Sequence, residues 1–95
     1  MKHHILVKFK PDAAAVRDTL LPELRRLFSD ALAIPGVISV DLYPNCIERE
    51  NRYDLMIVIG MSREALPLWD VSDTHILWKE RYGGLIEKKA IFDCE

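Results

Sequence analysis

The hydrophobic pattern of the chain is sharpest between Tyr53 and Met61, where Leu-Met-Ile-Val-Ile runs without a polar interruption. The run is rich in β-branched residues, bounded by polar ones and too short for a typical helix, which predicts a buried strand. Side chains alternate across a strand, so Leu55, Ile57, Ile59 and Met61 fall on one face and Met56 and Val58 on the other. Both faces are apolar, and both need cover.

From His3 to Lys10 the pattern also alternates, with His3, Ile5, Val7 and Phe9 opposite His4, Leu6, Lys8 and Lys10. Pro11 and Asp12 end this strand, and Asp12 is the expected N-cap of a helix. Between Ala13 and about Ala33 the period becomes helical, placing Val16, Leu20, Leu24, Leu27, Phe28 and Ala31 on an apolar stripe. Pro22 lies inside the stripe and predicts a kink within a single bent element. Ile34-Pro35-Gly36-Val37 reads as a stop and a turn. Val37 to Tyr43 is a second alternating strand with Ile38, Val40 and Leu42 on one face, and Pro44 to Arg52 is a solvated loop.

After the central strand, Ser62 is the expected cap of a helix that Pro67 keeps short or irregular. Ser72 or Asp73 starts a second helical segment, in which His75, Trp78 and Tyr82 share a face. Gly83-Gly84 is the expected C-terminal cap, and Lys88 to Asp93 is a last strand. The order strand, helix, strand, strand, broken helix, strand predicts an α+β fold, a ferredoxin-like split β-α-β arrangement. Its first and third strands form the central pair, and both helices lie on one side of the sheet. The other side stays apolar and uncovered, so a homodimer through the open sheet face is expected.

Length and charge narrow the classes further. Ninety-five residues predict one domain spanning 1–95, with a core only marginally sufficient by itself. The net charge of −2 and interspersed signs argue against nucleic acid or an anionic membrane as a partner. No apolar run reaches the length of a membrane span, and no signal-peptide hydrophobic region follows Met1, so a soluble cytoplasmic protein is expected. Cys46 and Cys94 read as two free thiols. No nucleophile elbow, phosphate loop or paired-carboxylate signature is present. Two histidines without a third ligand predict no metal site, and nothing calls for a cofactor.

Proton transfer needs a group that titrates near neutral pH and reaches the substrate, which singles out His3 and His75. At the first turn of its helix, His75 would be held neutral by the helix dipole. The competing reading makes both histidines hydrogen-bonded structural residues. Trp69, Trp78 and Tyr82 either floor an apolar pocket or belong to the core, and Trp78 reads as core.

Taken in order, His3 with Ile5-Leu6-Val7-Lys8-Phe9-Lys10, the turn Ile34-Pro35-Gly36-Val37, Tyr53-Asp54-Leu55, Ser62-Arg63-Glu64-Ala65-Leu66, His75 and Ile91-Phe92-Asp93 make a pattern. With it the chain resembles the stress-responsive α/β-barrel, or Dabb-type, domain proteins over nearly its whole length. The resemblance implies a ferredoxin-like subunit in a dimeric α+β barrel. Some members are plant polyketide cyclases, with a pocket between sheet and helices. That pocket carries one histidine on the first strand and another at the start of the last helix, the positions of His3 and His75. Ile5, Val7, Leu55, Trp69 and Trp78 would then be its apolar, substrate-binding wall. Trp69 stands where those cyclases have a tyrosine, and Leu55 where they have a further histidine, so cyclisation of that kind is not expected. The related antibiotic-biosynthesis monooxygenases share the dimeric barrel and the turn; His75 sides with the stress-responsive group.

Two functions remain at this stage. One is a pocket that binds a small, partly apolar carbonyl or phenolic compound, with or without cofactor-free acid/base chemistry of a cyclase or lyase kind. The other is a non-catalytic dimeric stress or interaction module whose pocket is filled by its own side chains.

Overall fold

A computed structural model describes residues 1–95. Four strands form one antiparallel sheet in the order β2-β3-β1-β4, with β1 at Lys2–Phe9, β2 at Val37–Pro44, β3 at Leu55–Met61 and β4 at Ile86–Cys94. The central pair is therefore β1 and β3, as the apolar pattern required. Strand β4 is longer than expected and begins at Ile86. The helical segments are α1 (Pro11–Ala14), α2 (Arg17–Ser29), α3 (Leu66–Asp70) and α4 (Asp73–Tyr82). This is the ferredoxin-like α+β fold.

Alternation along β1 is strict: His3, Ile5, Val7 and Phe9 are buried, and the residues between them are not. On β3, Leu55, Ile57, Ile59 and Met61 face the same way and are also buried. These side chains join Leu24, Phe28, Trp69 and Trp78 from the helices in one cluster of 19 buried hydrophobic residues. Phe28 is the hub, with its ring 5.8 Å from Trp69 and 5.1 Å from Trp78 between centroids.

The first helical stretch departs from the expected single bent element. Pro11, not Asp12, sets the start: it occupies the first turn of α1, with extended Lys10 as the cap and Asp12 inside the turn. The chain then breaks at Ala15–Val16, where Val16 leaves helical geometry (φ −115°, ψ 20°). The break rotates the stripe, so Leu21 is buried while Val16 is exposed. Pro22 sits within α2 and does not interrupt it. It lies on the exposed side, where water can satisfy the carbonyl that its missing N–H leaves free.

In β2 a bulge between Val37 and Ser39 breaks the alternation. Val37 and Leu42 are buried, yet Ile38 is 81% exposed and does not share a face with Val40 and Leu42 as expected. Gly60 lies opposite Ser39 and makes the bulge possible, because a Cβ there would fall 2.2 Å from the Ser39 Oγ. Gly36 (φ +90°) turns the chain into β2 as expected, and a Cβ on it would also meet Ser62 and Ala65. Gly83 differs: it keeps helical angles and leads into a 3₁₀ turn rather than forming a left-handed cap.

The sheet's other face carries no helix. Leu6, Met56 and Val58 are half-covered there, and Ile38, Tyr43 and Phe92 are exposed beside them. No helix of the chain is long and apolar enough to cross a membrane.

Candidate functional site

Antiparallel register places Asp93 of β4 directly opposite His3 of β1, on the helix-covered side. The His3 Nδ1–H donates to the Asp93 carboxylate over 2.6 Å, and His3 is only 6% exposed. A carboxylate oxygen accepts and cannot donate, so in the neutral ring this bond fixes the proton on Nδ1 and leaves Nε2 as the acceptor. The arrangement is that of an imidazole held in one orientation by a carboxylate.

His75 is built by a different local device. Ser72 caps α4: its hydroxyl accepts from the His75 backbone N–H (3.2 Å) and donates to the Trp69 carbonyl (2.8 Å). This tie closes the turn between α3 and α4 and brings the His75 ring against Trp69, 4.9 Å between centroids. The His75 Nδ1–H donates to the Asp70 carbonyl at 2.9 Å, which leaves Nε2 without a partner in the subunit.

Both imidazoles line one cavity of about 340 Å³ between β1, β4 and the last two helices. Ile5, Trp69 and Trp78 of the expected wall line it too. Val7 and Leu55 do not: both point into the main cluster and are essentially inaccessible there. Trp69 and Trp78 are each 1% exposed, so they wall the cavity mainly as the outer surface of the core. Tyr82 packs against Trp78 deeper in, and burial pushes its hydroxyl pKa upward. Asp93, Lys89 and Ile91 complete the cavity from β4. None of the three had been read as site residues. The signal lay in their odd-numbered spacing on a strand antiparallel to β1, which acquires meaning only with the register.

A larger cavity, about 820 Å³, lies at the opposite end beside the loop between β2 and β3. Its lining carries Arg17, Arg49 and Arg52 against Asp18, Glu48 and Asp54. Arg17 is already committed to the Asn45 and Asp54 carbonyls, so this cleft reads as a charge-balanced loop anchor. No group of three or more His, Cys, Asp or Glu side chains converges to hold a metal ion. Arg63 and Glu95 pair at the surface, which lowers the Glu95 carboxyl pKa and raises that of the guanidinium.

No family model and no curated protein matches the sequence. Solved structures do match the fold. A protein of Arabidopsis thaliana superposes with a TM-score of 0.76 at 19% identity, over 99% of this chain and 92% of its own. A Dabb family protein with a ferredoxin-like fold from Mesorhizobium loti gives 0.74 at 15% identity, over 99% and 93%. A dimeric protein of unknown function and ferredoxin-like fold from Bacteroides fragilis gives 0.71 at 17%, again over 99% and 93%. An antibiotic biosynthesis monooxygenase shares the fold as well, with a TM-score of 0.69 at 16% identity over 99% and 97%. The neighbours thus bear out the Dabb-type resemblance at the level of fold.

Proposed function

We propose that the chain is a Dabb-type domain protein that binds a small, partly apolar carbonyl or phenolic compound in the cavity beside His3 and His75. Its chemistry would be cofactor-free proton transfer at the carbon next to a carbonyl. One observation carries this reading: both imidazoles have Nδ1 tied down and Nε2 free, within one cavity. His3 would take the proton from the carbon at Nε2, while His75 in its protonated form would donate from Nε2 to the carbonyl oxygen and pass that proton to the enolate. Reversal of both transfers returns the ketone. With Trp69 buried where the plant cyclases have a tyrosine, no phenol is available for their cyclisation. The subunit would pair with a second copy through its open sheet face, in keeping with neighbours described as dimeric.

The test is hydrogen–deuterium exchange next to the carbonyl of aryl ketones and β-keto compounds, followed by NMR in D₂O. The parent should accelerate exchange, and His3→Ala should lose about 10²–10⁴ of that rate, the usual contribution of a positioned base. His75→Ala should weaken binding by about 0.5–1.5 kcal/mol, one directional hydrogen bond. The buried tryptophans favour a second reading, a non-catalytic module whose pocket is largely filled. That reading prevails if the parent neither binds nor exchanges any compound in the series.

A further inference from the structure

Along the groove face of β4 the side chains change character in steps of two: Asp93, Ile91, Lys89. Their register partners on β1 are His3, Ile5 and Val7. At about 3.4 Å per residue, Lys89 stands roughly 13 Å along the strand from the His3–Asp93 pair. The cavity is therefore polar at one end, apolar across Ile5 and Ile91, and cationic at the other end. Lys89 is exposed and enters no ion pair, whereas its neighbour Lys88 faces the other side of the sheet, 5.4 Å from the Tyr53 ring centroid. The negative groups of the cavity flank the imidazoles instead: Asp93 is bonded to His3, and Asp70 holds His75 through its backbone carbonyl.

Building on the proton-transfer reading, we infer that the site takes an oxo acid. Its carboxylate would lie at Lys89, its apolar span across Ile91, and its enolisable carbonyl at His3 and His75. The charge pattern also sets direction. A carboxylate placed at the imidazole end would face Asp93, and like charges in a partly enclosed groove repel. At the Lys89 end it meets a single flexible ammonium, whose long stem lets it follow acids of different length.

The probe is 5-oxo-5-phenylpentanoate, compared with its methyl ester on the parent, Lys89→Met and Lys89→Arg. Binding is followed by calorimetry, and exchange at the carbon next to the ketone by NMR. The parent should prefer the acid by about fivefold, the scale of a solvent-accessible ion pair, and the preference should shrink as salt is added. Lys89→Met should bind acid and ester alike, and Lys89→Arg should keep the preference. Equal binding of acid and ester by the parent, or a preference that survives Lys89→Met, overturns the inference while leaving the proton-transfer reading intact. If neither compound binds or exchanges, both fall together.

Discussion

His3 and His4 are adjacent in the chain and opposite in the sheet. His3 is buried against a carboxylate under the helices, while His4 lies on the open face, its Nδ1 at 3.1 Å from the Phe92 carbonyl and its ring edge-on to Phe92. One face of β1 holds a carboxylate-tied histidine beside an aromatic core. The other supplies apolar and aromatic side chains with nothing from the same subunit above them. What separates the two faces is their cover. The helices determine where side chains are locked and where they wait for a partner.

Three variants test that contrast, in falling order of effect. Phe28→Ala removes the ring that touches both tryptophans and should cost about 3–5 kcal/mol, read as the urea midpoint at constant slope. The loss should appear at any protein concentration, because the covered face is internal to one subunit. Met56→Lys puts a charge in the middle of the open face and should convert a dimer into monomers by sedimentation. It would forfeit about 1.5–3 kcal/mol of burial per copy and make the melting temperature lower at every concentration tested. A parent that sediments as a monomer at micromolar concentration would remove the case for an open-face dimer. Replacing both Cys46 and Cys94 with Ser should leave stability within about 0.5 kcal/mol, since both thiols are free and neither joins the main cluster. Thiol titration of the native protein should count two groups.

The two faces were also unequally legible. Alternation in β1 and β3 depends only on local polarity, and it gave the central pair, the covered face and the side that holds His3. The break at Ala15–Val16 was hidden because Pro22 looked like the stronger interruption. Exposure decides otherwise: a proline on the wet side of a helix is tolerated, while the short α1 must turn for α2 to reach the sheet. The bulge at Ile38 was hidden because Gly60, which makes room for it, sits on another strand. Asp93 and Lys89 were hidden for the same reason, since a strand's partner residues follow from register and not from its own pattern. His75 was the reverse case: Ser72 and the aromatic spacing placed it at a helix start without any long-range information.

The bulge has a bearing on how related sequences would align. Ile38 is the extra residue in β2, unpaired between Val37 opposite Met61 and Ser39 opposite Gly60, with Val37, Val40 and Leu42 pointing in and Ile38 and Asp41 pointing out. A relative lacking that one position would keep every other inside–outside assignment of the strand. A length change that normally inverts a strand would here be silent in pattern. Across homologues, a single-residue gap at 38 should therefore leave the strand's pattern of inward and outward residues intact.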